Sequence, residues 1–231
     1  MEDKKIWDFL LEKIDNPYGV AALMGNLYVE SKLNPKDLQG SYERKFNMSD
    51  DEYTEAVDNG SYTNFVRDQA GYGLAQWTYW SRKESLLQFA KTAKTSIGNL
   101  DTQLAFLWSE IQTYKTVLAS MKTAKNVREA SDVIAKRYER PDDQSEKALA
   151  NRANFGQMFY DKFAKQVGNK MVVATDNVNI RVGNGKEYAK VGTLKKGFKA
   201  VFVAESENGW FAIKNGTQVN WVSKEFSKLE G

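Results

Sequence analysis

The chain of 231 residues carries 33 lysines and arginines against 30 aspartates and glutamates, a formal charge of +3, with neither cysteine nor histidine. That length allows one large domain or two smaller ones with proper cores. The missing cysteines exclude disulfides, thiolate metal sites and cysteine nucleophiles, and the missing histidines remove the commonest general base and the usual imidazole zinc ligands, so any acid–base chemistry falls to carboxylates, or failing those to tyrosine or lysine.

The first predicted helix, about Asp3 to Asp15, buries Ile6, Trp7, Leu10, Leu11 and Ile14 by its periodicity. MEDKKIWDFLLEKI shows no secretory signal pattern, and no apolar run approaches the ~20 residues that span a bilayer. Asn16 followed by Pro17 then starts a second helix that stops before Pro35. Its Val20, Leu23, Met24, Leu27 and Tyr28 form one apolar stripe, and Glu30 falls about 80° off it, where core wall meets open surface. Glu30 also lies in the last turn, whose partial negative charge disfavours a carboxylate. Both effects would raise its pKa, as a general acid near neutral pH requires.

From Lys36 to Ala70 acidic, polar and aromatic residues mix without sustained apolar periodicity, so a long segment outside regular structure is expected. Its Tyr42, Phe46, Tyr53, Tyr62 and Phe65 either line a groove or pin the segment to the body. In GYGLAQW, Gly71 to Trp77, two glycines permit a tight turn. Gln76 offers a donor and acceptors beside the flat faces of Trp77 and Tyr79, a combination suited to a sugar ring; the alternative is a turn entering a helix with Trp77 as core. Ser81 to Phe163 reads as helical scaffold with a break at RYERPDDQS, and Tyr138 and Glu139 are site candidates because they adjoin that break.

KQVGNK, Lys165 to Lys170, reads as a polar connector, and beyond it the period changes to two. β-branched and aromatic runs separated by NGKE, KKG, ENG and KNGT predict a small antiparallel barrel. From Met171 onward there are nine basic and six acidic residues, so the whole surplus lies there and the first 170 residues are neutral. So small a surplus does not suggest nucleic acid and is compatible with mild attraction to an anionic surface such as a cell wall.

Two resemblances rest on these motifs. GNLYVES around Glu30, GYGLAQWTYWSRK, SIGNLDTQLAFLW and YERP together resemble the phage tail lysozyme family of the lysozyme-like superfamily. NVNIRVGNGKEYAKVGTLKKGFKAVFV with NGWFAIKNGTQVNWVS resembles the bacterial SH3 (SH3b) domains that anchor cell-wall hydrolases. They imply a mainly α lysozyme-like (α+β) catalytic domain over 1–166, a linker at 167–171 and an SH3-like barrel over 172–231, as in a phage-type endolysin. Carried across, the resemblance makes Glu30 the catalytic acid with Ser31 beside it, and matches Gly73, Leu74, Ala75 and Gln76 to the Gly-Leu-x-Gln motif of the groove.

The activity implied is peptidoglycan cleavage between N-acetylmuramic acid and N-acetylglucosamine, without cofactor or metal, by a monomer that binds neither nucleic acid nor membrane. Asp68, which closely precedes the glycine turn, is the expected second carboxylate, followed by Asp50 and Asp51. Ser31, Tyr72, Gly73, Gln76, Trp77, Tyr79, Tyr138 and Glu139 are the expected glycan contacts. Asn179, Arg181, Tyr188, Trp210 and Trp221 are the expected contacts to a stem peptide or cross-bridge of Gram-positive wall, with one of the tryptophans in the core. A lytic transglycosylase giving 1,6-anhydro products and an inactive wall-binding or tail structural protein are the alternatives. The expected setting is synthesis in the host cytoplasm and action at the cell wall.

Overall fold

The computed structural model describes residues 2–164, 170–216 and 218–230. Most of the expected connector and linker, 165–169, lies outside the described residues. Two compact units make up the chain, Met1–Tyr160 and Asp161–Gly231.

The first unit is helical. α1 (Glu2–Ile14) buries Ile6, Trp7, Leu10 and Ile14, with Leu11 at the edge of that face. α2 (Pro17–Ser31) starts on Asn16, whose side chain accepts from the N–H groups of Tyr18 and Gly19 and whose amide donates to the carbonyls of Lys122 and Ala124. The cap satisfies free helix donors and ties α2 to the end of α7 (Lys115–Thr123). α2 departs from the expected single stripe, because every residue from Gly19 to Leu27 is buried. The helices α1, α7, α8 (Val127–Ile134) and α9 (Glu146–Phe159) pack round it, and an enclosed helix needs no polar face. Its last turn, Tyr28, Val29 and Glu30, returns toward solvent.

Glycines set how closely these helices approach. A Cβ on Gly25 would lie 2.3 Å from the backbone nitrogen of Gly156 and 2.5 Å from the carbonyl oxygen of Arg152. α2 and α9 therefore meet backbone to backbone, and Arg152 is delivered to the open end of α2.

Residues 36–70 are not the long irregular segment expected. They hold α3 (Gly40–Phe46) and α4 (Asp50–Asp58), the latter with a capping box in which Ser49 accepts from the Glu52 N–H and Glu52 from the Ser49 N–H. Helices of two turns are too short for apolar periodicity to declare them. The aromatic residues close on one another, with the rings of Phe46, Tyr62, Phe65 and Tyr72 between 5.3 and 6.2 Å from that of Tyr53. α5 (Trp80–Ala93) and α6 (Leu100–Ile111) follow, and α8 continues as a π turn, Ala135–Glu139, that ends at Arg140 with φ of 53°.

After the π turn Tyr160–Ala164, the second unit is antiparallel β with one short 3-10 turn, Lys224–Phe226, and its strands follow the predicted period: β1 (Met171–Ala174), β2 (Val178–Arg181), β3 (Lys190–Leu194), β4 (Lys199–Glu205), β5 (Trp210–Asn215), β6 (Gln218–Ser223) and β7 (Ser227–Glu230). Val172, Ala174, Val178, Ile180, Phe211, Ile213 and Val222 form its own core. The expected barrel is not closed. The strands run β3-β2-β6-β5-β4-β1-β7 in one sheet, so among the described residues β3 and β7 remain its edges. Both edges carry exposed lysines, Lys190 and Lys228, which discourage further pairing.

Candidate active site

Where α2 emerges, Glu30 is half-buried and its Oε1 lies 2.7 Å from Nη2 of Arg152. Arg152 projects from the buried face of α9 and is only 5 % exposed. Glu139, at the end of the π turn, is the third member of this group and interacts electrostatically with both. Among the described residues, Nη1 of Arg152 and Oε1 of Glu139 are buried without a protein hydrogen-bond partner.

Behind Glu139 stands a second charged layer. Glu110 accepts from Arg82 at 2.8 and 2.9 Å, from the indole N–H of Trp77 at 2.7 Å and from the hydroxyl of Tyr138 at 2.9 Å. The Arg82 guanidinium also lies over the Tyr138 ring, 5.0 Å from its centroid. Tyr138 is thus fixed by α5 and α6, and it fixes its neighbour Glu139. Three carboxylates, Glu30, Glu110 and Glu139, meet two guanidiniums, Arg82 and Arg152. Burial first, and then the charge of Glu30, push the Glu139 carboxyl up to about 8, so at neutral pH this cluster keeps a proton. An open cleft of about 750 Å³ between α5 and α6 meets the group through Arg82 and Glu110.

The glycine turn is tied to the end of α2. Ser31, next to Glu30, donates its hydroxyl to the Leu74 carbonyl at 2.9 Å. Gly73, with φ of 72°, donates its N–H to the Asp37 carbonyl at 2.9 Å. A Cβ at Gly73 would strike the Gln103 amide at 2.6 Å, so this position requires glycine on two counts. Gln76 donates its amide to the Asp37 carbonyl at 3.0 Å and to Oδ2 of the Asp37 carboxylate at 2.8 Å. Leu38 pairs with Tyr72 in a β bridge, so among the described residues the α+β character of this unit rests on that contact.

Several expected site residues take other places. Asp68 is not free to activate water: its side chain is 1 % exposed and ion-paired with Lys83 at 2.5 Å, with Tyr53, Tyr62 and the N–H of Ala70 also donating to it. A charge sealed in this way belongs to the core. Asp50 is held by the Asn34 amide and the Leu38 N–H, both at 2.8 Å, and Asp51 pairs with Lys36 at the surface. Tyr72 and Trp77 are buried, their polar tips spent on Thr54 and Glu110, so neither offers a ring to a sugar. Tyr138 is buried as well. Tyr79 is 64 % exposed, and the neighbouring Trp80 is exposed beside it with ring centroids 6.0 Å apart.

In the β unit, Trp210 is buried and Trp221 half-buried, whereas Tyr188 is 44 % exposed. Asn179 is exposed, and Arg181 donates to the Tyr188 carbonyl at 2.7 Å. A groove of about 590 Å³ runs past Lys186, Glu187, Asn208, Trp210, Lys224 and Glu225.

Sequence reading missed Arg152 and Asp37. Arg152 occupies a core position in the Leu149, Arg152, Ala153, Gly156 spacing of α9, and a charge in an apolar register was the signal that could have found it. Asp37 stands among polar neighbours and carries no such mark. Among the described residues, no three carboxylates gather as a metal site.

A helical unit with a carboxylate at the open end of its enclosed helix, facing a glycine turn, followed by a β unit, defines a lysozyme-like protein with an appended all-β module. The family model described as Phage tail lysozyme matches residues 2–163, and the chain belongs to that family. No curated protein matches it. Membership gives the chain a peptidoglycan-lytic, lysozyme-like function, as hydrolase or transglycosylase, with peptidoglycan as its substrate.

Proposed function

We propose that the protein cleaves the glycan strand between N-acetylmuramic acid and N-acetylglucosamine, with Glu30 as general acid. The observation that carries this reading is the Glu30–Arg152–Glu139 group at the exit of α2. Burial and the charge of Glu30 keep a proton on Glu139 against the pull of Arg152, and Glu30, on the last turn of α2, is the carboxyl that returns toward solvent. As general acid, Glu30 gives a proton to the glycosidic oxygen as its bond to C1 breaks, and the oxocarbenium-like centre at C1 is then captured. The unpaired Arg152 Nη1 and Glu139 Oε1 offer a donor and an acceptor to substrate hydroxyl or acetamido groups.

The β unit is read as an SH3b-type wall-binding module for a stem peptide or cross-bridge of Gram-positive peptidoglycan. Exposed Tyr188 and the groove beside Trp210 support this reading. The protein is made in the phage host's cytoplasm, acts at the wall as a monomer and uses no cofactor. A lytic transglycosylase is the second reading, favoured by the sealing of Asp68, since capture by the muramyl 6-hydroxyl needs no separate base.

Glu30→Gln tests the assignment. The substitution is nearly isosteric and keeps an acceptor for Arg152, so folding should persist while wall lysis falls about 10²-fold or more. Clearing of cell walls at the parent rate would remove Glu30 from the mechanism. Mass spectrometry of the digest separates hydrated from 1,6-anhydro muropeptides and so decides between the two readings.

A further inference from the structure

The water that completes hydrolysis needs a base, and the expected one, Asp68, is locked in the core by Lys83. Asp50 and Asp51 are likewise committed, to Asn34 and Leu38 in one case and to Lys36 in the other. Glu139 belongs to the electrostatic group of Glu30 and Arg152.

We infer that Asp37 is the general base of the hydrolytic reaction, held by Gln76 of the same Gly73–Gln76 turn whose Leu74 carbonyl binds Ser31, the residue after Glu30. This inference rests on the hydrolase reading of the site. The turn is tied to both acids: Ser31, directly after Glu30, binds Leu74, and Gln76 and Gly73 bind Asp37. One turn therefore bonds both to Asp37 and to the residue directly after Glu30. The Asp37 carboxyl is half-buried and receives a hydrogen bond from Gln76 at Oδ2. Oδ1 is the oxygen left for water.

The surroundings suit a base. Burial first, then the charges of Asp50 and Glu43, push the Asp37 carboxyl up to about 7, and Lys32 opposes them. A base with such a value is ionised in a useful fraction near neutrality and takes up a proton more readily than an ordinary aspartate. In the step, Asp37 removes a proton from water as the water oxygen bonds to C1, the C1–oxygen bond to the leaving sugar breaks, and the leaving oxygen takes the proton of Glu30. Water activated on the face opposite the leaving group gives an inverted product. The motif glutamine gains a definite role here: it orients the base.

Asp37→Asn in the full chain is the direct test, because the amide oxygen can still accept from Gln76. Hydrolysis of purified peptidoglycan should fall about 10²-fold or more with wall binding and melting temperature kept. Added azide, a nucleophile that needs no deprotonation, should restore turnover and leave an inverted glycosyl azide visible by mass spectrometry and NMR. A merely structural aspartate would give no azide product. Asp37→Ala, which opens room for azide, carries the same readout should the amide variant melt early. Activity within about threefold of the parent, or a loss that azide does not restore in either variant, would overturn the base assignment. A parent that yields only 1,6-anhydro products would instead overturn the hydrolase reading itself, and Asp37 with it.

Discussion

Glu139 sits where three carboxylates meet two guanidiniums, and its carboxyl rises from the ordinary 4.5 to about 8 through burial and the charge of Glu30. Between those values the folded chain holds a proton that the unfolded chain has lost. The stability from this group is therefore fully present below 4.5 and is lost as pH rises through about 8. Glu139→Gln stays neutral throughout and should remove that slope. In melting curves taken from about pH 5 to about pH 8.5, the parent should lose stability more steeply than the variant, and parallel curves would dismiss the stored proton. At this scale the sequence is legible in part. The place of Glu30 follows from Asn16-Pro17 and Pro35, which bound α2 and put the acid in its last turn; the expected stripe does not place it, because α2 is buried on all sides as far as Leu27. Asp37 and Asp68 mark the limit, since both are aspartates beside polar residues and only their partners distinguish them. Lys83 closes over one and Gln76 holds the other.

Arg152 reaches Glu30 because α2 and α9 can touch, and they touch at Gly25 and Gly156. Gly25→Ala places a Cβ 2.3 Å from the Gly156 nitrogen, against backbone that cannot swing aside as a side chain would. Overpacking of this kind costs about 1–3 kcal/mol, and here the relief is a shift of α9 that carries Arg152 away from Glu30. The variant should melt below the parent and also lyse walls more slowly per folded molecule. Gly40→Ala, whose Cβ would meet nothing nearer than 3.5 Å, is the control and should do neither. A Gly25 variant with parent activity per folded molecule would show that the crossing does not set the arginine. Long elements such as α1, α2, α5 and α6 announce themselves by period, and the strands by alternation. The short α3 and α4 do not, although the Ser49–Glu52 capping box was a readable sign of α4. Closure of a sheet is invisible to alternation, because the same inward and outward pattern serves an open sheet and a barrel.

The two units have separate cores, one wrapped round α2 and the other made by Val172, Ile180, Phe211, Ile213 and Val222. The formal surplus of three lies from Met171 onward and is small and largely screened at physiological salt, so on the proposed wall-binding reading retention should rest on short-range contacts at residues such as Tyr188. A binding unit joined to a catalytic one raises the local concentration of the second at the surface without altering its chemistry. A chain ending at Ala164 should therefore cleave soluble glycan fragments at the parent rate and lose activity on whole cells at low enzyme concentration. The difference should shrink as enzyme is added, because mass action replaces the tether. The 170–231 segment alone should be retained by purified wall, and Tyr188→Ala should weaken that retention with little change in melting temperature, since its ring is exposed. Equal killing of cells by the long and short chains at every concentration, or passage of 170–231 through wall without retention, would leave the β unit without a targeting role.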